Sequence, residues 1–256
     1  MAHQIILPTI LHLLAGGALG LASAGLAAHF GYRSADRLPG ESRRPECVYC
    51  LRPLQWNELF PLFGWLLRSA PTTLPCPCGQ RRGIWPQPVA EILGFLLGMG
   101  AVALAGWSWA ILPLCLGLGL LPAIASVDLA FTLIPDELNA LLALTGLGWL
   151  VGSGNDIFLG LVSSAGLLAL GLLLALGYSK WRGREMLGIG DVKFFAAAGL
   201  WLPAVHVPWF LAASGLVGIV FSLLWQRGGG GKEFPFAPAL CLSLAGCVFY
   251  QLYSAL

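Results

Sequence analysis

Two aspartates each lie at one end of a long apolar segment. Asp128 ends the apolar run 120–127, and Asp191 opens another run after Gly188 and Gly190. An ionisable side chain against a membrane segment is costly to place there and marks a functional site by default. Two carboxylates within hydrogen-bond reach share a proton, so one can activate a water as base while the other protonates a carbonyl. The pattern predicts an intramembrane aspartyl pair with hydrolytic chemistry.

The neighbours of this pair have plainer interpretations. Gly188 and Gly190 lack side chains, so we expect a substrate strand or another chain to approach closely beside Asp191. Lys193 follows just beyond and adds a charge at the same boundary. Asp136 follows a proline and opens a helix, where an acid is stabilising without any catalytic role.

The ends of the predicted helices indicate different roles for the two acids. Asp191 lies near a helix N-terminus, whose partial positive charge favours the carboxylate. Asp128 lies near a helix C-terminus, which favours the neutral acid. The sequence therefore predicts Asp191 as the base and Asp128 as the proton donor, within a pair that titrates as a unit.

The composition is that of a membrane protein. The 256 residues are 57% hydrophobic and 10% charged, whereas a soluble domain carries about 25% charged residues. A helix needs about 20 apolar residues to cross the hydrocarbon core, and we expect an all-α polytopic protein of about eight spans, the first retained and not a cleaved signal. The predicted spans are 5–31, 88–107, 109–127, 137–153, 156–178, 191–205, 207–226 and 235–254.

The basic residues predict the orientation. All 14 lysines and arginines lie in three stretches, 33–82, 180–193 and 227–232. These stretches fall in odd-numbered connections between the spans, and such connections share one side of the membrane. The positive-inside rule places that side, and with it both aspartates, at the cytoplasmic face.

The first connection is the only one long enough to form a small domain. We divide the chain into a first helix (1–31), a cytoplasmic loop domain (32–87) and a seven-helix domain (88–256). The loop holds two close pairs of thiols, Cys47 with Cys50 and Cys76 with Cys78. Paired thiols in a reducing compartment are typical of a structural zinc site, with four unliganded cysteines as the alternative. Three further cysteines in apolar spans are interpreted as small buried residues: Cys115, Cys241 and Cys247.

Several stretches together resemble one family. Gly-Ile-Gly-Asp-Val-Lys at 188–193 is similar to the Gly-x-Gly-Asp motif of the type IV prepilin peptidases, a group of intramembrane aspartyl proteases. The block 127–136 resembles the family's first aspartate motif, and 233–238 resembles its Phe-Gly-Pro stretch with Ala237 in place of glycine. The paired-cysteine loop, with Glu91 after it, occupies the same place in the order.

The resemblance implies cleavage of the basic leader of prepilins or type II secretion pseudopilins at the cytoplasmic face of the bacterial inner membrane. It implies that Asp128 and Asp191 are catalytic, with Gly188, Gly190, Lys193 and Asp136 supporting the motif. Many members also methylate the new N-terminus with S-adenosylmethionine, an activity associated with the loop. The loop departs from the family pattern at Tyr32, at 58–61 and in its tight second cysteine pair. These departures bear on methyl transfer and leave the peptidase chemistry untouched.

Two other functions are compatible with the residues alone. An ion- or proton-coupled transporter could use Asp128 and Asp191 as carriers, although transporter sites usually lie at mid-membrane. A non-catalytic secretion scaffold would tolerate the loss of both acids. The loop arginines are expected to bind anionic lipid headgroups, at about 1 kcal/mol each, and no nucleic-acid partner is expected. Glu58 and Glu185 are candidates for binding the basic leader.

Overall fold

The computed structural model describes residues 2–35, 86–182, 187–228 and 234–255. Within these ranges the chain is helical and contains no strand. The α-helices are α1 (Ala2–Ala35), α2 (Pro86–Ala105), α3 (Ile111–Phe131), α4 (Asp136–Gly152), α5 (Ile157–Arg182), α6 (Ile189–Gly199), α7 (Val207–Arg227) and α8 (Ala237–Ser254). A short 3-10 helix, Ala204–His206, precedes α7.

The described helices follow the predicted spans in order, which confirms an all-helical polytopic membrane protein. Among the described residues, five helices are long and apolar enough to cross a membrane, namely α1, α3, α5, α7 and α8. The apolar part of α2 is shorter. The helices α4 and α6 have only 17 and 11 residues and are not among these candidate spans.

The predicted span 191–205 is wrong in its outer half. The helix α6 ends at Gly199, and 11 residues at 1.5 Å each extend only about 16 Å. The chain then turns through Trp201, and Pro203 precedes the 3-10 helix. Proline lacks the N–H that continues a helix and disfavours helical geometry in the residue before it. The helix that carries Asp191 is therefore too short to cross the membrane by itself.

The helices α1 and α2 pack with their backbones in contact. A Cβ added to Gly20 would collide with the carbonyl oxygen of Gly94, and a Cβ added to Gly16 would collide with that of Gly98. Small residues permit this close approach in lipid, where van der Waals packing holds helices together. The contact holds together the two helices that flank the connection 36–85.

The two ends of the bundle differ in composition. Exposed aromatic side chains lie at the end where α3 begins and α8 finishes: Trp107, Trp109, Trp209, Tyr250 and Tyr253. Tryptophan and tyrosine favour the membrane–water interface. The lysine and arginine positions of the described ranges fall toward the opposite end, where α3 finishes and α8 begins. The described lysine and arginine positions therefore lie at the end of the bundle that carries Asp128.

Trp201 anchors the outer end of α6 between α3 and α4. Its ring fills the space left by Gly117 and Gly146, and it is only 2% exposed. Its Nε1–H donates a hydrogen bond to the carbonyl of Leu142 at 3.0 Å. A buried tryptophan whose N–H is satisfied provides a large packing surface with a fixed orientation. The short helix is therefore held at its C-terminal end by its neighbours.

We expect Gly117→Ala to lower the free energy of unfolding by about 1–3 kcal/mol, because the added methyl group would collide with the Trp201 ring. The matched control is Gly166→Ala in α5, where an added Cβ has no atom within 4 Å. That change should be neutral or slightly stabilising, since alanine favours a helix over glycine. Unfolding in detergent measures both variants, and equal effects would contradict the anchoring role of Trp201.

Candidate active site

Asp128 is buried in the last turn of α3 and is only 4% exposed. Its carboxylate accepts a hydrogen bond from the backbone N–H of Ala237 at 2.8 Å. Ala237 opens α8, so the carboxylate faces the partial positive charge of a helix N-terminus. The helix α3 ends directly afterwards, where Thr132 adopts a left-handed conformation with φ 50°. The acid is thus held by a segment 109 residues away in the chain.

Asp191 lies in the first turn of α6, which begins after Gly188. Its carboxylate accepts a hydrogen bond from the backbone N–H of Gly188. Its own backbone N–H donates to the Gly188 carbonyl at 3.1 Å. A carboxylate that reaches back to the N–H preceding the helix is one half of a capping box. Asp191 therefore helps to begin α6 while it presents an acid beside α3 and α8.

The structure brings the two predicted acids together. The charges of Asp128 and Asp191 act on each other, and both act on the buried thiol of Cys241 in α8. The carboxylate of Asp128 joins the end of α3 to the beginning of α8, and the beginning of α6 lies within reach of its charge. The negative charge of one acid disfavours ionisation of the other, which favours a state of the site that holds one proton.

The helix ends do not assign Asp191 as the base and Asp128 as the proton donor, contrary to the prediction. Asp128 lies at the C-terminal end of α3 as expected, but the N-terminus of α8 points at the same carboxylate. Asp191 has the N-terminus of α6. Because both acids face a helix N-terminus, helix dipoles do not distinguish the base from the proton donor.

The two motif glycines accommodate this chain's own residues. A Cβ added to Gly190 would lie 3.2 Å from the Cβ and from the carbonyl oxygen of Ile134, in the connection between α3 and α4. A Cβ added to Gly188 would lie 3.3 Å from Oδ2 of Asp191. The expected space for a substrate strand at Gly190 is therefore filled by Ile134, and that expectation is corrected. Gly190 lets the connection pack against α6, and Gly188 makes room for the acid itself.

Asp136 and Lys193 form an ion pair at the surface between α4 and α6. Nζ of Lys193 lies 2.6 Å from both carboxylate oxygens of Asp136. Asp136 also lies in the first turn of α4, as predicted. The side chain of Lys193 is 43% exposed and that of Asp136 is 70% exposed. Exposed ion pairs of this kind contribute about 0–1 kcal/mol to the stability of the fold. This contact links the two short helices at the end of the bundle that carries the acids.

Sequence reasoning did not identify Asn139 as a contact of the site, and it noted Ala237 only within the resembling stretch 233–238 without assigning it to the site. Asn139 in α4 is 4% exposed, and its Nδ2 donates to the carbonyl of Gly190 at 3.0 Å. The available signal was an amide side chain inside the apolar segment that follows Asp136. Ala237 acts through its backbone N–H, which no side-chain pattern reveals. Glu91, noted in the resemblance, is completely buried in α2.

Some predicted residues fall outside the described ranges. They are the thiols predicted to bind zinc and the two leader-binding candidates: Cys47, Cys50, Cys76, Cys78, Glu58 and Glu185. The loop domain 32–87 and its zinc site therefore stay predictions. The remaining cysteines are free, with Cys115 and Cys241 buried as predicted and Cys247 partly buried. In the part of the chain that the structure describes, no group of three or more His, Cys, Asp or Glu side chains is placed to hold a metal ion.

An apolar groove of about 280 Å³ opens between α7 and the residues that precede α8. It is lined by Gly215, Gly218, Ile219, Ser222, Leu223, Phe234 and Phe236. Phe236 directly precedes Ala237, whose N–H holds the carboxylate of Asp128. The groove therefore connects the exposed face of α7 with the segment that contacts the buried acid.

A polytopic helical bundle with a close pair of carboxylates at one end defines a membrane protein equipped for acid–base chemistry. Residues 115–223, which include both aspartates, match the type IV leader peptidase family. Similar curated proteins are each named prepilin leader peptidase/N-methyltransferase. That of Aeromonas hydrophila is 31% identical over 77% of this chain and 68% of its own length. That of Pectobacterium carotovorum is 32% identical over 77% and 70%, and that of Neisseria gonorrhoeae is 30% identical over 77% and 68%.

The chain belongs to the type IV leader peptidase family. This membership confirms the predicted resemblance and the prediction of a peptidase. It does not favour the transporter or the non-catalytic scaffold. No solved structure matches the chain significantly.

A double-mutant cycle on Asp136→Ala and Lys193→Ala should give a coupling energy below about 1 kcal/mol, because both side chains are exposed to screening. The coupling should weaken further as the salt concentration rises. Unfolding in detergent supplies the four free energies. Glu137→Ala, at the exposed neighbouring position, should show no coupling with Lys193→Ala. A salt-independent coupling of several kcal/mol would contradict the description of a surface pair.

Proposed function

We propose that this chain is an aspartic endopeptidase that cleaves the basic leader of type IV prepilins or type II secretion pseudopilins, with Asp128 and Asp191 as its catalytic pair. The observation that carries the proposal is geometric: the carboxylate of Asp128, held by the Ala237 N–H, and that of Asp191, in the first turn of α6, lie at the same end of the bundle and near enough for their charges to interact. Both acids lie in the stretch 115–223 that matches the family. The substrate class comes from the names of the relatives, which are prepilin leader peptidases.

In the proposed reaction, the ionised carboxylate takes a proton from a water molecule whose oxygen attacks the scissile carbonyl carbon. The other carboxyl, still protonated, gives its proton to the carbonyl oxygen, and a tetrahedral diol forms. Collapse of the diol breaks the C–N bond: the protonated carboxyl gives its proton to the departing amine, and one diol hydroxyl gives its proton to the ionised carboxylate as the new carboxylic acid forms. The pair returns to its singly protonated state. The N–H of Ala237 holds Asp128 in place during these transfers.

The proposed site faces the cytoplasm from the inner membrane. The support is the concentration of lysines and arginines in connections at the end of the bundle that holds the acids. A leader that remains in the cytoplasm would arrive at this end. The loop arginines are proposed to bind anionic lipid headgroups there. The apolar groove beside Phe236 is proposed to receive the apolar part of a substrate, next to the segment whose N–H holds Asp128.

Methyl transfer from S-adenosylmethionine to the new N-terminal amine is a second candidate activity. Its support is the name of the relatives, which pairs the peptidase with an N-methyltransferase. The residues that the sequence associates with this activity lie in 32–87, almost all of it outside the described ranges. The departures at Tyr32 and 58–61 favour peptidase cleavage as the principal activity of this chain.

We expect Asp128→Asn and Asp191→Asn each to lower cleavage by at least about 10²–10⁴-fold, since each variant removes one member of the acid–base pair. Mass spectrometry of a prepilin-like peptide detects the released leader, and the mature fragment in the same spectrum reports any added methyl group. Asp156→Asn is the matched control, because Asp156 caps α5 by accepting from the Phe158 N–H at 2.8 Å and asparagine caps equally well. Normal cleavage by either variant of the pair would refute the catalytic assignment.

We expect the purified protein to contain about one zinc ion per chain, held by the two thiol pairs of the loop. Replacing Cys47 and Cys50 by serine should remove the metal, as measured by elemental analysis. Cys247→Ser is the control and should retain it, since Cys247 lies in α8 and belongs to neither thiol pair of the loop. Metal-free protein whose loop cysteines react freely with an alkylating agent would rule out the zinc site.

A further inference from the structure

Asn139 makes a buried contact with the turn that carries Asp191. It lies in the first turns of α4 and is 4% exposed. Its Nδ2 donates to the carbonyl oxygen of Gly190 at 3.0 Å. Gly190 is the residue directly before the acid, so the bond acts within one peptide unit of Asp191. The described contacts of this amide hold the beginning of α6 against α4.

The other atom of the same amide is unusual. Oδ1 of Asn139 is buried and, among the described residues, has no hydrogen-bond partner. An unpaired buried acceptor is destabilising, because it has lost its water without gaining a donor. An apolar side chain of similar size would avoid this penalty. Asn139 therefore lowers the stability of the fold through its unpaired oxygen. Its one side-chain hydrogen bond among the described residues goes to Gly190, in the motif that carries Asp191.

Two links join α4 to α6 at this end, and they differ in environment. The ion pair of Asp136 with Lys193 is exposed and is screened by water and salt. The bond from Asn139 to Gly190 is buried, where a hydrogen bond is electrostatically stronger and its geometry is restricted by packing. The buried link is the one that can fix the orientation of the first turn of α6.

We propose that Asn139 is a positioning residue of the peptidase, which fixes the Gly190 carbonyl and thereby aims the carboxylate of Asp191 at Asp128. The proposal rests on the proposed function, since it assigns Asn139 a task only if the two acids react together. A displacement of about 1 Å in a catalytic group can lower a rate about 100-fold without changing substrate binding. The role therefore concerns kcat and leaves KM nearly unchanged.

The test compares three variants of the full-length protein in detergent with a prepilin-like peptide as substrate. Asn139→Leu removes the donor and also the unpaired acceptor, so its two effects on stability oppose each other. Asn139→Asp keeps the shape and replaces the donor with an acceptor, and Asn139→Ser shortens the side chain. We expect kcat to fall about 10- to 100-fold in each variant, with KM within about threefold of the wild-type value and the unfolding midpoint of Asn139→Leu close to wild type.

Two controls separate the possible outcomes. Ser163→Ala in α5 also removes a buried oxygen without a partner in the described residues, and it should keep the wild-type kcat. Asp191→Asn is measured in parallel, and its normal cleavage would show that the proposed function itself fails. If Asp191→Asn is inactive while Asn139→Leu is folded and has the wild-type kcat, the positioning role alone is overturned. Loss of kcat only in step with unfolding in all three Asn139 variants would also overturn it, because Asn139 would then be a structural residue.

Discussion

The hydrogen bond from the Ala237 N–H to the buried carboxylate of Asp128 is the interaction on which the arrangement of the site depends. A carboxylate away from water needs a donor, and the first N–H groups of a helix need an acceptor. Here the Ala237 N–H supplies the donor that the carboxylate needs, and the carboxylate supplies the acceptor that the helix needs. The bond joins the end of α3 to the beginning of α8, and Cys241 one turn later lies in the field of both acids. The helix α8 is therefore both a candidate membrane span and one border of the site.

The helix that carries the second acid gains its position from its neighbours. Eleven residues of helix cannot reach across the hydrocarbon core, so lipid does not determine where α6 lies. Trp201 holds its outer end between two glycine-containing faces, and Ser164 donates to the carbonyl of Ala196 at 2.7 Å along its side. At the inner end, Gly190 packs against the connection that follows Asp128. Packing and hydrogen bonds thus place Asp191, in contrast to the long helices that the membrane itself orients.

The sequence predicts well those features that depend on the solvent. Lipid requires long apolar helices and separates charge between two faces, so the order of the helices and the end that holds both aspartates can be deduced from hydropathy and basic residues. Contacts between distant segments leave no such pattern. The bond of Asp128 to Ala237 uses a backbone group 109 residues away. The predicted span 191–205 is too long because the helix ends at Gly199 and the chain then turns so that Trp201 packs between α3 and α4. The space beside Gly190 was assigned to a substrate because a glycine does not reveal which neighbour approaches it.

The backbone contact of α1 with α2 has a consequence for the segment between them. Gly16 and Gly20 meet Gly98 and Gly94, so packing between the flanking helices offsets part of the entropy of closing the intervening 36–85 segment. The inner end of α1 also reaches the site, since a Cβ added to Gly31 would touch Val127 beside Asp128. The segment is therefore tethered, through α1, beside the residue that precedes Asp128, and a group tethered in this way has an effective concentration that a separate protein would have to match by binding.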